Sequence, residues 1–323
     1  GNTLVLRPDI TPSIARCAAK YFGEEEQPIR LCYMGNTFIN NSSYQGRLKE
    51  CTQLGAELLG DPSVDADAEM ISMVISCLKA AGLKEFQLSI GHADFFRGLM
   101  EAAGLLEEQE EELRELISNK NFFGVEEFVE TLNLEENLKK LFGMLGNLYT
   151  GSDELSAARE CAASYPRILK AIGDLEELHK ILEVYEVSRY VSFELGTISN
   201  YQYYTGIIFM GYTFGSGEAI VKGGRYDRLL TYFGKDSASI GFAFVVDQLM
   251  AALQRQKIDV PVERCVELMV YKPAKRQAAI TAAAAARAAG RCVELMLWDE
   301  TKQKEDYEDY AARSRMTNVQ FFA

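Results

Sequence analysis

The sequence predicts an α+β fold, with an antiparallel sheet flanked by helices, a helical insertion and a small C-terminal α/β domain. Three observations lead to this prediction. Extended runs and helices mix from residue 1 to about 100, and extended runs resume after residue 188. Residues from about 94 to 188 show only helical patterns. Residues 264–323 alternate as β-α-β-α-β, which is typical of a small parallel sheet.

The predicted boundary between two domains lies in the segment DVPVER, whose proline suits a linker. A chain of 323 residues is long enough for one large domain and a smaller one. We expect a first domain over residues 1–257, with the insertion at about 94–188, and a second over residues 264–323. Because the chain opens on Gly1 inside a predicted strand, TLVLRPD, we also expect a further segment before it.

Composition excludes several classes of protein. The formal net charge of −13 argues against broad contact with nucleic acid. There is no signal-peptide pattern and no apolar run long enough for a transmembrane helix. The seven cysteines are scattered without CxxC spacing, which predicts a reducing cytoplasm, no disulfide framework and no metal site. The two histidines, His92 and His179, are expected to be structural, and no cofactor is expected.

The N-terminal elements follow from capping residues and strand composition. TPSIARCAAKYFG predicts a helix with Thr11 as N-cap, Pro12 at its first position and Gly23 as terminator. IRLCYMGNTFI and GRLKECTQLGAELLG predict an antiparallel hairpin joined by the loop NNSSYQ. A helix at DADAEMISMVISCLKAAGL and a strand at EFQLSIG follow.

The remaining elements of the first domain come after the helical insertion. Strands are predicted at RYVSFELG, YQYYTGIIFMGY and EAIVKGG, and helices at RYDRLLTYFG and FVVDQLMAALQRQ. The acidic run LLEEQEEELREL within the insertion is interpreted as a solvated helix face rather than a binding site.

The second hairpin strand carries a polar pattern on one face. Strand alternation places Gln53, Gly55 and Glu57 together, with the amide and the carboxylate roughly 13 Å apart. A glycine between them indicates close approach by a ligand or another backbone, and suits a small polar molecule with donors at both ends. From the pattern alone, the favoured alternative is a solvent-facing sheet edge with a glycine bulge.

The stretch SNYQYYTG combines three tyrosines with a glutamine and no charge. Regular pleating would place Tyr204 on one face and Tyr203 on the other. If Tyr204 faces the same cavity as Glu57, an imidazole or similar heterocycle bridges its hydroxyl and the carboxylate. Tyr203 then points away unless the strand is bulged.

Three blocks in order resemble one family. LVLRPDITPSIAR, the hairpin ending GRLKECTQLGAE, and SNYQYYTG followed by KGGRYDRLL resemble histidyl-tRNA synthetase and its paralogue, the ATP phosphoribosyltransferase regulatory subunit of histidine biosynthesis. The resemblance implies a class II synthetase-like antiparallel sheet and a shortened anticodon-binding domain at the C-terminus. It also implies that histidine is held by a set of six residues, namely Asp9, Thr11, Gln53, Glu57, Tyr203 and Tyr204. In the family's arrangement, the first three receive the α-ammonium, while Glu57 and Tyr204 hold the imidazole.

Three arginine positions of the synthetase motifs depart from the family. The FRxER arginine is replaced by Ile39, the RGLDYY arginine by Ser199 and the GLERL arginine by Gln248. Arginines stabilise the charge that develops on phosphorus during adenylation, each contact being worth about 3 kcal/mol. We therefore expect a site that binds histidine without activating it, and no catalytic residue. The neutral Ser199 also removes a partner for the histidine carboxylate.

The resemblance therefore implies a non-catalytic regulatory and activating subunit that binds L-histidine for feedback inhibition. Its expected partner is the short-form catalytic ATP phosphoribosyltransferase, in a hetero-oligomer containing a homodimer of this chain. One alternative is an active histidyl-tRNA synthetase-like enzyme with relocated arginines, for which Arg47 and Arg225 are the candidates. Another is a synthetase-like sensor of tRNA or of an amino acid.

Overall fold

A computed structural model describes residues 5–24, 28–40, 48–198, 203–260 and 265–323. The chain divides into two compact units, Gly1–Asp259 and Val260–Ala323. None of the helices in the described ranges is long and apolar enough to cross a membrane.

The first unit is built on a large mixed sheet with helices on both faces. Its strands are Ile29–Phe38 (β1), Glu50–Leu59 (β2), Phe86–His92 (β3), Leu148–Tyr149 (β4), Val191–Glu194 (β5), Ile207–Thr213 (β6), Val221–Arg225 (β7) and Ser239–Val245 (β8). Its α-helices are Thr11–Tyr21 (α1), Val64–Ala80 (α2), Ala93–Ala103 (α3), Glu107–Ser118 (α4), Phe122–Glu130 (α5), Glu136–Gly143 (α6), Ser156–Cys161 (α7), Pro166–Val184 (α8) and Val246–Arg255 (α9). Short 3-10 helices lie at Ser152–Leu155, Ser188–Tyr190 and Leu230–Phe233.

The strand order is β1-β2-β8-β7-β6-β3-β5-β4. Neighbouring strands are antiparallel except β3 and β5, which are parallel. The predicted hairpin is present as β1 and β2, whose register pairs Tyr33 with Gly55. Most of its predicted loop lies outside the described residues. Because β2 also pairs with β8 along its length without a bulge, it is an interior strand rather than a sheet edge.

The two faces of the sheet are covered differently. On one face, the apolar side chains of α2 and of the helical insertion pack with Leu58, Phe209 and Phe242 into one large core. On the other face, Ala15 and Ala18 of α1 pack over Leu59 and Ile208 with Leu230. Since α1 covers only part of this second face, the rest is open to the cavities described below.

The second unit is the predicted β-α-β-α-β arrangement. Strands Val266–Tyr271 (β9), Cys292–Leu297 (β10) and Asn318–Phe322 (β11) form a parallel sheet in the order β10-β9-β11. Helices Arg276–Ala288 (α10) and Lys304–Arg313 (α11), with a 3-10 helix at Pro273–Lys275, connect them. The fold class predicted from the sequence is confirmed in both units.

Two local predictions are wrong. Thr11 is not an N-cap, because α1 begins at Thr11 itself and its hydroxyl bonds to Glu57. RYDRLLTYFG forms only the short 3-10 helix, because its first residues continue the pairing of β7 and β8. The Tyr226 N–H donates to the Ser239 carbonyl, and the Asp227 carboxylate accepts the Ser239 N–H.

Candidate functional site

The six residues expected to bind histidine line a single cavity on the face of the sheet that α1 partly covers. The cavity has a volume of about 50 Å³, and its wall includes Asp9, Thr11, Gln53, Glu57, Tyr203 and Tyr204. Its other lining residues are Lys222, Tyr226, Gly241, Phe242, Ala243 and Val245. Residues distant in the sequence therefore meet at one place, where α1, β2, β7 and β8 converge with the segment before β6.

Three glycines allow side chains to lie flat across the sheet. A Cβ atom on Gly55 would collide with the Tyr33 ring, and one on Gly241 would overlap the Glu57 carboxylate. A Cβ on Gly224 would lie 2.8 Å from the Tyr204 ring. The sequence pattern left the space over Gly55 to a ligand or to another backbone, but the Tyr33 ring occupies it.

Glu57 is the buried centre of the site. It is 2 % exposed, its Oε1 accepts a hydrogen bond from Thr11 Oγ1 (3.0 Å), and its Oε2 accepts one from the Tyr226 hydroxyl (2.6 Å). Burial raises the pKa of Glu57 to about 8, although both of these hydrogen bonds favour the carboxylate. A carboxyl group with its pKa raised in this way donates a hydrogen bond to a heterocycle when it is protonated and accepts one when it is ionised.

The other end of the cavity offers hydrogen-bond acceptors. Asp9 Oδ1 accepts the Thr11 N–H (3.1 Å), and Asp9 Oδ2 accepts the Tyr203 hydroxyl (3.0 Å). These bonds fix the carboxylate where α1 begins. Gln53 Oε1 is buried without a hydrogen-bond partner among the described residues. An acceptor buried in this way favours a ligand that brings a donor.

Tyr203 and Tyr204 both line the cavity because they precede the strand. β6 begins at Ile207, so the strand predicted over residues 203–206 is wrong, and residues 199–202 lie outside the described ranges. The Tyr204 carbonyl accepts a hydrogen bond from Arg97 Nη2 (2.7 Å), and the Thr205 N–H donates to the Arg225 carbonyl (2.7 Å). Irregular backbone fixed in this way has no strict alternation, which brings both rings to one side with centroids 4.9 Å apart.

Three contributors were missed from the sequence. Tyr226 lies within the GGRYD motif, but its role appears only when its hydroxyl is found on Glu57. Tyr33 pairs with Gly55 across the hairpin, and the predicted loop did not fix this register. Lys222 on β7 lies at the wall of the cavity, and an exposed lysine in a strand carries no signal of this kind.

A larger cavity of about 480 Å³ adjoins the first and shares Tyr204 and Lys222 with it. Ile39, one of the replaced arginine positions, lines it and is 43 % exposed. The cations among its described lining residues are Lys120, which is paired with Glu194, and Lys222. Gln248 lies on α9 beyond the end of β8, and Ser199 is outside the described residues. In the part that the structure describes, this cavity is therefore lined by no arginine.

Arg225 is a structural residue, not a relocated catalytic arginine. It is 6 % exposed, its Nε donates to Asp67 Oδ1 (2.9 Å), and its Nη2 donates to the Ser63 carbonyl (2.9 Å). Burial lowers the pKa of Arg225, but the carboxylates of Asp67 and Asp227 together outweigh burial and raise it, so the guanidinium stays charged. Arg47, the other candidate, lies outside the described residues.

Both histidines are buried away from this cavity. His92 Nδ1 accepts the Asp94 N–H (3.1 Å) and caps α3, and His92 Nε2 lies 3.4 Å from Asp174. The His179 ring packs edge-on against Phe193. Within the described ranges, no group of three or more His, Cys, Asp or Glu side chains is arranged to hold a metal ion.

The sheet and its covering helices define a class II synthetase-like protein. The family model of histidyl-tRNA synthetase matches residues 1–249. A histidyl-tRNA synthetase structure from Nostoc shares the fold, with a TM-score of 0.76 at 18 % identity, covering 97 % of this chain and 76 % of that one.

More similar relatives carry a narrower description. An ATP phosphoribosyltransferase regulatory subunit from Acetivibrio thermocellus is 41 % identical over 91 % of this chain and 70 % of its own length. One from Caldanaerobacter subterraneus is 38 % identical over 91 % of this chain and 77 % of its own length. A crystal structure from Bacillus halodurans, described as an ATP phosphoribosyltransferase regulatory subunit/histidyl-tRNA synthetase, has a TM-score of 0.79 at 33 % identity, covering 100 % of this chain and 80 % of that one.

The chain belongs to the histidyl-tRNA synthetase family and, within it, to the ATP phosphoribosyltransferase regulatory subunits. The predicted family and the predicted role as a regulatory rather than a catalytic subunit are both confirmed by these relatives.

Proposed function

We propose that this chain binds L-histidine in the narrow cavity and, with the short-form catalytic ATP phosphoribosyltransferase as partner, regulates the first step of histidine biosynthesis. The observation that carries the proposal is the convergence of six residues on one cavity, beside a larger cavity whose described wall contains no arginine. The proposal includes a cytoplasmic hetero-oligomer in which this chain forms a homodimer.

The groups around the cavity suit the two polar ends of histidine. Its imidazole has one donor and one acceptor nitrogen, which match the Glu57 carboxyl and the Tyr204 hydroxyl. Its α-ammonium brings the donors that the Asp9 carboxylate and the unpartnered Gln53 Oε1 require. Thr11 joins the two ends, because its hydroxyl contacts Glu57 while its N–H contacts Asp9.

The same site is poorly equipped for adenylation. Transfer to ATP places negative charge on phosphorus, and fixed cations lower the energy of that transition state. Ile39 and Gln248 are neutral at two of the three arginine positions, and Arg225 is committed to Asp67. Binding without chemistry leaves histidine free to act as a signal.

Feedback then follows from linkage between two sites. If histidine binds more tightly to an inhibited state of the hetero-oligomer than to an active one, its binding raises the population of the inhibited state. The end product of the pathway thereby slows the first enzyme without entering the active site of that enzyme.

The test is reconstitution with the catalytic subunit of the same organism. We expect transfer of the phosphoribosyl group from phosphoribosyl pyrophosphate to ATP, with release of pyrophosphate, to increase when this chain is added. The rate should fall when L-histidine is added. With Glu57→Ala, stimulation should persist and the response to L-histidine should be lost, because the imidazole loses its buried partner. The proposal fails if the catalytic subunit behaves identically with and without this chain. Histidine-dependent pyrophosphate exchange by this chain alone would favour an active synthetase instead.

A further inference from the structure

We propose that Lys222 binds the α-carboxylate of the amino-acid ligand, an inference that rests on the function proposed above. Lys222 lies on β7 and lines both the narrow cavity and the larger one. It therefore stands where a ligand in the narrow cavity faces the open side. In the synthetase motif an arginine stands at the position of Ser199, and the neutral serine cannot supply its charge to the carboxylate.

The strand register places Lys222 on the same face as the predicted ligand-binding residues. Gly55 pairs with Ala243, and Ala243 pairs with Lys222, so the three form one row across β2, β8 and β7. The next row contains Glu57, Gly241 and Gly224. Gly55 and Lys222 are two strand spacings apart, about 10 Å, and only the methyl group of Ala243 stands between them. Ala243 therefore places little bulk between the cavity and Lys222.

The charges of an amino-acid ligand also favour a cation where the narrow cavity meets the larger one. An amino acid is a zwitterion, and the described wall of the narrow cavity supplies carboxyl groups from Asp9 and Glu57 for its donors. Among the described lining residues, Lys222 alone is cationic. Its ammonium group forms no ion pair or hydrogen bond within the described part of the chain. An available ammonium beside a site that otherwise attracts cations is matched by the carboxylate of the ligand.

The alternative reading of Lys222 is a solvated lysine on a strand. Most exposed lysines have no partner and no role, and burial does not hold this side chain in place. Register and charge distinguish Lys222 from such residues. Its strand position faces the cavity, and it supplies the positive charge that the other described lining residues lack. The experiment must therefore separate a contact with the carboxylate from a general effect of surface charge.

Isothermal titration with two ligands provides that separation. Histamine has the imidazole and the ammonium group of histidine but lacks the carboxylate. For Lys222→Met, we expect L-histidine affinity to fall about 10- to 100-fold, as for loss of a charge-assisted hydrogen bond, with histamine affinity unchanged. Lys222→Arg should retain most of the L-histidine affinity. Lys84→Met, which removes an exposed lysine outside the cavity, should change neither affinity.

Each other outcome overturns the inference in a recognisable way. Equal L-histidine affinity in the unaltered chain and in Lys222→Met shows that the carboxylate lies elsewhere, and leaves the proposed function intact. Equal losses for L-histidine and histamine show that Lys222 supports the cavity instead of contacting the carboxylate. If the unaltered chain binds no L-histidine, the proposed function fails, and the role of Lys222 fails with it.

Discussion

The narrow cavity and the larger cavity that adjoins it through Tyr204 and Lys222 differ in how their polar groups are held. In the narrow cavity, Thr11 and Tyr226 fix Glu57, and Thr11 and Tyr203 fix Asp9. In the larger cavity, Ile39 supplies an apolar surface, Lys120 is already paired with Glu194, and Lys222 is shared with the narrow cavity. Recognition of a small polar molecule depends on such fixed hydrogen bonds, whereas phosphate chemistry depends on available cations. Under the proposed function, the fold keeps the first property and has lost the arginines that the second requires.

The largest effect is expected at Arg225, and its absence would break this comparison. We expect Arg225→Met to destabilise the protein by about 3–5 kcal/mol, because it leaves Asp67 buried without its cation. Urea unfolding followed by circular dichroism measures the change. Arg228→Met, at an exposed position nearby, is the matched control and should have little effect.

An opposite result at Arg225 would reassign the residue. Unchanged stability together with weaker ATP binding would place this arginine in phosphate recognition. An arginine would then serve phosphate binding, and the contrast with the narrow cavity would disappear.

A second test sharpens the comparison through the pH dependence of stability. The pKa of Glu57 is about 8 in the folded chain and 4.5 ordinarily, so the folded state holds this proton more tightly than the unfolded state. Its contribution to stability is fully present below pH 4.5 and is lost as pH rises through about 8. Relative to the unaltered ligand-free chain, Glu57→Gln should therefore gain stability between these values, by an amount on the order of a few kcal/mol.

Thermal unfolding from pH 4 to pH 9 measures this difference. Other groups titrate in both proteins, so their contributions cancel in the difference in stability between the variant and the unaltered chain. Glu50→Gln, at an exposed position on the same strand, controls for the loss of a carboxylate and should show no such rise. A constant difference for Glu57→Gln across the range would show that Glu57 is not held in the protonated form.

The smallest expected effect concerns the larger cavity. We expect the double substitution Ile39→Arg and Gln248→Arg to strengthen ATP binding about tenfold, because it restores two of the three arginines of the synthetase motifs. Titration calorimetry with ATP measures it, and Ile39→Gln with Gln248→Met is the neutral control. Micromolar ATP binding by the unaltered chain would contradict the comparison.

Sequence reasoning predicted the sheet, the hairpin and the six cavity residues because short motifs carry them. Strand alternation placed Gln53 and Glu57 on one face, and the resemblance of the block LVLRPDITPSIAR to the synthetase motif pointed to Asp9 and Thr11. The paired orientation of Tyr203 and Tyr204 could not be predicted, since it depends on an irregular backbone held by Arg97 from another helix. Similarly, the burial of Arg225 depends on Asp67, which lies far away in the sequence.

At the glycines in positions 55, 224 and 241, a single added carbon atom would collide with the residues that shape the narrow cavity. A methyl group at any of them would meet a ring or the Glu57 carboxylate and also a backbone oxygen of a neighbouring strand. Such a change would disturb the strand pairing and the shape of the cavity together. These three positions therefore couple the close pairing of the strands to the geometry of the narrow cavity.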